Sequence, residues 1–277
     1  MENQRQIITR MKKHKDRYSP RQRKIAEFVL GNIQTAAFLT GKNLAAASGV
    51  SEATVNRLVC MLGYPGYAAF QKDIQQHLMA DFQGDKRFKR ALPQKGGVNT
   101  PLTKFIDQEI ENIALLQQNF DREAFARAVK AICAAATIVV LGARGSAALA
   151  WRLWFGLNKL RLTAVRMVEL SAESFEYVDR LGPRDVIVAI AFPRYLTAMV
   201  RLLKNAAARE VGVISITASE FSLIQGDINL YCPAKSTTFI ANHCAPQILI
   251  NALIHEVSLA DQKRSLAALE DFEKLAE

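Results

Sequence analysis

Residues 44–74 read LAAASGVSEATVNRLVCMLGYPGYAAFQKDI, and they decide the first part of the fold. Val55, Leu58, Val59 and Leu62 recur at i, i+3, i+4 and i+7, the spacing of a helix with one buried face. Its other side carries Glu52, Ala53, Asn56 and Arg57, with Thr54 at the margin. Ser51 is expected to cap this helix and Gly63 to end it. Before it, Leu39-Thr40-Gly41 opens a shorter helix holding Leu44, Ala45 and Ala46, and Ser48-Gly49-Val50 reads as a turn. Two short helices across a tight turn form the unit that lays the N-terminal part of its second helix in the DNA major groove. There Asn pairs with adenine and Arg with guanine, which makes Asn56 and Arg57 the expected base contacts. Ser51 and the positive end of the helix dipole suit a phosphate. The candidate DNA-binding residues are therefore Ser51, Glu52, Ala53, Thr54, Asn56 and Arg57.

Working outward, Ser19-Pro20 is a helix start, with Ile25, Phe28 and Val29 as its apolar stripe and Gly31 as its end. A further helix is expected from about Tyr67 to Met79. Residues 1–95 hold 17 Lys and Arg against 7 Asp and Glu, whereas 96–277 balances at 19 of each. The whole net charge of +10 thus falls in the first third, as expected for a segment that meets a polyanion joined to a neutral domain. With 50% hydrophobic and 22% charged residues, the composition excludes a disordered or low-complexity chain. No apolar run has the roughly 18 residues of a membrane span. The opening MENQRQIITRMKKHKDR is polar and basic, so no secretory signal and a cytoplasmic location are expected. Cys60, Cys133, Cys232 and Cys244 are scattered, without CxxC spacing. They are expected as partly buried thiols rather than metal ligands or disulfides.

Residues 82–100, FQGDKRFKRALPQKGGVNT, carry no apolar period and read as a linker, an extension of the preceding helix being the alternative for their first half. Domains are expected at 1–81 and 101–277. Beyond Pro101, two helices (102–119 and 122–135) lead into strands near 137–141, 163–168, 186–191, 211–216 and 228–232. Helices are expected to start near Ser146, Ala172, Leu196 and Phe221, then to run over 238–259 and 262–275. Short, nearly continuous apolar strands alternating with helices indicate a parallel sheet covered on both faces. The fold class is an all-helical domain followed by a five-stranded parallel α/β domain. VVLGARGSAALA places Gly142, Arg144, Gly145 and Ser146 between a strand and a helix, where backbone N–H groups can face an anion. The stretch lacks both the P-loop ending and the third glycine of a dinucleotide fingerprint, so no nicotinamide cofactor is expected. SITAS (215–219) and Ser236, Thr237 and Thr238 are further candidates for the same crevice or for turns and caps. His243, and His255 with Glu256, are weighed as acid–base groups and set aside as structural. Trp151 and Trp154 are read as core or dimer-face residues.

The pattern formed by Leu44-Ala45, Gly49, Ser51, Ala53, Thr54, Val55, Arg57, Leu62-Gly63-Tyr64, Gly66-Tyr67 and Phe70 resembles the helix-turn-helix of the RpiR family of bacterial transcriptional regulators. That resemblance implies a sugar isomerase (SIS) effector domain, whose GxGxS first loop is represented by Gly142, Gly145 and Ser146 with Arg144 in place of the middle glycine. It also implies a second loop, SxSGxT, where this chain reads AFPRYLT (191–197). Arg194 offers a guanidinium there instead, able to hold a phosphate or carboxylate. The expected effector-binding residues are Gly142, Arg144, Gly145, Ser146, Arg194, Tyr195, Thr197 and Thr217. The implied protein is a regulator of double-stranded operator DNA, modulated by a small anionic metabolite such as a sugar phosphate or sugar acid. The resemblance further implies a homodimer or tetramer that meets through helices of the second domain. No catalytic residue, metal, cofactor or membrane partner is expected. A phosphosugar isomerase with a basic appendage is the enzyme alternative, and a purely structural DNA binder the third.

Overall fold

In the computed structural model the chain divides into two compact units, Met1–Leu92 and Pro93–Glu277. Residues 6–81, 101–192, 196–218, 220, 222–236, 238 and 241–276 are described. The expected linker at 82–100 lies outside them.

The first unit is helical: α1 (Gln6–Lys13), α2 (Pro20–Gly31), α3 (Ile33–Ala36), α4 (Gly41–Ala47), α5 (Glu52–Met61) and α6 (Tyr67–Asp81). Ser19 starts α2 with a reciprocal capping box to Gln22, and Pro20 occupies the first helical position, where its missing N–H costs nothing. The Thr40 hydroxyl accepts from the Asn43 N–H and starts α4. Gly49 turns the chain between α4 and α5 at φ 64°, in the left-handed region that glycine enters freely. Ser51 does stand at the N-cap of α5, but it makes no side-chain cap: its hydroxyl bonds the Thr54 hydroxyl at 2.9 Å instead of a backbone N–H.

Val55, Leu58, Val59 and Leu62 are all buried, and they share a core with Ile25, Val29, Leu44, Phe70 and Ile74. The trailing motif holds this unit together from α6. The Tyr67 hydroxyl and the Gln71 amide both donate to the Leu39 carbonyl, at 2.7 and 2.8 Å, and Gln75 donates to the Ala37 carbonyl at 2.9 Å. Those carbonyls precede α4, so α6 fixes the turn from which the helix-turn-helix starts. The Tyr64 ring meets Phe70 edge-on, and its hydroxyl donates to the Asp73 carboxylate.

The second unit opens with α7 (Pro101–Gln118) and α8 (Arg122–Ala134). It then alternates β1 (Ile138–Leu141), α9 (Ala147–Lys159), β2 (Ala164–Met167), α10 (Ala172–Asp179), β3 (Val186–Ala191), α11 (Thr197–Ala208), β4 (Gly212–Thr217) and β5 (Ile228–Tyr231). Two helices close it, α12 (Cys244–Ala260) and α13 (Gln262–Ala276). All strand pairs are parallel, in the order β2-β1-β3-β4-β5. Successive strand residues point to opposite faces. Ile138, Val140, Val188 and Ile190 therefore pack against α8, α9 and α12, while Val139, Leu141, Ile187 and Ala189 pack against α10 and α11. Burial on both faces explains why these strands read as unbroken apolar runs.

Three expectations need correction. No helix forms among the described residues between β4 and β5, although one was expected to start near Phe221, itself outside the described residues. Side chains take backbone bonds a helix would use: the Ser222 hydroxyl accepts from the Ile224 N–H and the Asn229 amide oxygen from the Gly226 N–H, while Asp227 accepts from the Val213 N–H of β4. The helix expected over 238–259 begins only at Cys244, because Ser236 turns back to accept from the Thr238 N–H at 3.2 Å. His243 is thus the residue before α12, and Ser236 and Thr238 belong to a turn well short of the helix. The thiols differ among themselves: Cys232 is buried, Cys133 is intermediate, and Cys60 and Cys244 are exposed.

Candidate DNA-recognition helix and ligand cleft

The core stripe of α5 turns its remaining side outward. Ala53, Asn56 and Arg57 are exposed there. Thr54 is buried, and its hydroxyl serves both the Ser51 hydroxyl and the Arg57 guanidinium, the latter at 3.3 Å. Arg57 is thereby laid along its own helix face. Glu52 is exposed, but one carboxylate oxygen lies 3.6 Å from the position a Cβ at Gly41 would take, over the first turn of α4. An acidic group is favourable at that positive helix end. Of the six residues expected at the DNA, Ala53, Asn56 and Arg57 form the outward surface. Ser51 and Thr54 organise it, and Glu52 leans toward the neighbouring helix.

In the second unit, the strand order reverses direction between β1 and β3, the switch point where open parallel sheets bind ligands beyond their C-terminal strand ends. A small cleft opens there. One wall is Ala143, Arg144 and Ser146 from the turn after β1; the other is Ile190, Ala191, Phe192 and Leu196 from the end of β3. The turn is a single 3-10 step, Arg144–Ser146, running straight into α9. Gly142 is imposed by packing: a Cβ there would stand 2.8 Å from both the Ala150 Cβ and the Ser146 carbonyl oxygen. Arg144 has φ 54°, a left-handed conformation that costs an L-residue about 1–2 kcal/mol. Its side chain is exposed, free to meet a ligand. Ser146 is 6% exposed and makes no side-chain cap.

Thr217 is fully buried at the end of β4, paired in register with Ala191. Thr197 is the exposed first residue of α11, next to the lining Leu196. Ser215 is fully buried and donates to the Asn229 amide oxygen at 2.7 Å, which ties β4 to β5. Arg194 and Tyr195 lie outside the described residues, as do Ser219 and Thr237. Of the expected residues, the structure thus places Arg144 and Ser146 on one wall, with Gly142 and Gly145 in the same turn, and brings the β3 end opposite them.

One rim residue was undervalued by sequence reasoning. His243, from the chain just before α12, comes within 3.7 Å of the Cβ position at Gly145, and its ring centroid is 5.9 Å from that of Phe192. Burial holds its pKa below the ordinary imidazole value, with Glu109 of α7 acting the other way. The signal that could have found it is Pro246: proline is tolerated in the first turn of a helix, which places the helix start just after His243. His255 and Glu256, by contrast, are exposed on the outer side of α12. Trp154 is half-buried, its indole donating to the Ala164 carbonyl, whereas Trp151 is exposed and stacked on Phe155.

Residues 5–81 match the model of a helix-turn-helix domain of the rpiR family, and residues 131–256 that of the SIS domain. The chain is similar to the HTH-type transcriptional regulator YbbH of Bacillus subtilis, at 26% identity over 90% of this chain and 87% of that protein. The sugar isomerase domain of an RpiR transcription factor from Sphaerobacter thermophilus is 26% identical, covering 64% of this chain and 99% of that one, with a TM-score of 0.61. The NanR protein of Vibrio vulnificus, solved in complex with ManNAc-6P, shares the fold over 97% of both chains at 18% identity and a TM-score of 0.66. The chain therefore carries a helix-turn-helix domain of the rpiR type followed by a SIS domain.

Proposed function

We propose that this chain is a transcriptional regulator whose operator affinity is set by a small anionic metabolite, a sugar phosphate or sugar acid, bound in the cleft between β1 and β3. The observation that carries the reading is the turn after β1. A strained arginine and a nearly buried serine sit at the start of a 13-residue helix, at the sheet's switch point. Helix N–H groups, a hydroxyl and a guanidinium are the donors that hold a phosphate or carboxylate. Two relatives support it: YbbH is named a transcriptional regulator, and NanR was solved with a sugar phosphate. Residues 1–81 act as the DNA-binding domain, 82–100 as the linker, and 101–277 as the sensing and self-associating domain. Arg194, which follows β3 in the sequence, is proposed as a second charge for the anion.

Self-association has a physical basis on α7. Leu102, Ile106, Ile110 and Ile113 form an exposed apolar stripe along this helix, with Leu102 at 68% and Ile110 at 60% exposure. A contiguous apolar stripe in a soluble chain marks a contact surface. A second copy joined through it presents two recognition helices, and such dimers read half-sites about 34 Å apart or at multiples of that spacing. No catalytic role is assigned, and the protein works in the cytoplasm, where its DNA is.

Band-shift measurements on genomic fragments test the reading, with salt as the variable. If a dimer neutralises about six phosphates, affinity falls roughly a thousandfold between 50 and 200 mM salt. Arg57→Ala weakens specific binding by about 1–3 kcal/mol if the guanidinium reaches a base edge. Unchanged affinity and sequence preference in that variant would remove Arg57 from recognition, and steady turnover of a hexose phosphate would favour the isomerase alternative.

A further inference from the structure

The cleft has a third side that the SIS loops do not supply. His243 stands beside both sides of it: its imidazole lies 3.7 Å from the Cβ position at Gly145, and its ring is tilted 49° to that of Phe192 at 5.9 Å. Because residue 145 is glycine, no side chain stands between the imidazole and the turn after β1. Asn242, immediately before it, is only 4% exposed, and its Nδ2 has no hydrogen-bond partner among the described residues. A buried amide donor is satisfied in most folded proteins, so one left without a partner points to something that arrives later. The two groups together, an amide and an imidazole whose neutral form burial favours, offer hydrogen-bond donors and acceptors. That set matches hydroxyls rather than a second anion.

This same corner is fastened to α7. The Glu109 carboxylate accepts from the Cys244 N–H at 3.3 Å and from the Asn112 amide at 3.3 Å. Asn112 is fully buried and exchanges two bonds with the backbone of Lys235, at 2.9 and 3.0 Å, much as a neighbouring strand would. Lys235 in turn pairs with Glu111 at 2.9 Å. Three α7 residues within one helical turn thus grip the chain on the way from β5 to α12, and α7 is the helix that follows the 82–100 stretch.

We propose that Asn242 and His243 are a hydroxyl-binding subsite for a phosphosugar whose phosphate rests on the Arg144–Ser146 turn, and that Glu109 and Asn112 pass their displacement to α7. The proposal rests on the cleft being an anion site, and it adds which part of the ligand is read and which helix responds. The ligand has one anionic end and a polyhydroxylated body. Inorganic phosphate alone fills only the turn, and a hexose 6-phosphate spans both.

The test uses the full chain and calorimetry with inorganic phosphate, glucose 6-phosphate, fructose 6-phosphate and N-acetylmannosamine 6-phosphate, on the wild type and on His243→Gln and His243→Ala. The wild type should bind at least one hexose phosphate, and His243→Ala should weaken that binding ten- to hundredfold while leaving inorganic phosphate binding unchanged. His243→Gln, which keeps an amide donor, should lose less. Hydrogen exchange across 101–118 should slow when the hexose phosphate binds the wild type and not when it binds His243→Ala. Equal hexose phosphate affinity in all three proteins overturns the subsite, and ligand-indifferent exchange in α7 overturns the coupling. A wild type that binds none of the four probes overturns the anion site itself and this inference with it.

Discussion

Replacing Arg144 with glycine should raise stability and lower ligand affinity at once. Arg144 holds φ 54° in the turn after β1, and relieving that conformation returns about 1–2 kcal/mol. Glycine's greater freedom in the unfolded chain takes back about 0.5–1 kcal/mol. The side chain is exposed, so little packing is lost. The net expectation is a gain of about 0–1.5 kcal/mol. Arg144→Ala is the control: it keeps a Cβ, and so the strain, and should fall close to the wild type. Both variants remove the guanidinium, and losing one charge-assisted hydrogen bond weakens binding about ten- to hundredfold. Urea unfolding measures the first quantity, and calorimetry with a hexose 6-phosphate the second. An Arg144→Gly protein less stable than Arg144→Ala, or one that binds the hexose phosphate as tightly as the wild type, would refute the view that strain is kept at this turn for the ligand.

Two further outcomes follow from the packing and the titration. Phe70 is fully buried beneath Tyr64 and Tyr67, so Phe70→Ala should cost about 3–5 kcal/mol, read as an earlier melt and loss of DNA binding; a melt within a degree of the wild type would show that α6 does not fasten the first unit. The depressed pKa of His243 means that the unfolded chain binds more protons than the folded one below about pH 6.5, so stability should fall as pH drops through that value; the fall should be shallower in His243→Gln, and identical pH slopes would contradict it.

Where side chains answer to a period, the sequence was readable. The α5 stripe of Val55, Leu58, Val59 and Leu62 lies wholly inside, and the strand runs lie in a buried parallel sheet. The capping box at Ser19 and the turn at Gly49 follow from local chemistry alone. Where side chains compete with backbone partners, the reading failed. Ser222 and Asn229 take up backbone N–H groups between β4 and β5, Asp227 ties that stretch to β4, and a short apolar stretch such as Leu223-Ile224 carries no sign of that. Ser51 looked like a cap because its type and place were right, but Thr54 three residues on offered its hydroxyl another partner. The turn after β1 was legible as a candidate anion site. The strand order is not written in any one segment, so the meeting of that turn with the β3 end and His243 became visible only in the assembled sheet.

The central claim is that one chain couples operator DNA to an anion in the β1–β3 cleft. The most direct measurement is the affinity of the full chain for a DNA fragment selected from genomic sequence, at fixed salt, with and without a saturating hexose 6-phosphate or sugar acid that calorimetry shows to bind. The account predicts a change of at least about fivefold in either direction, the lower end of ordinary coupling between sites, and its loss in Arg144→Ala. A DNA affinity that stays the same when the cleft is occupied would contradict it.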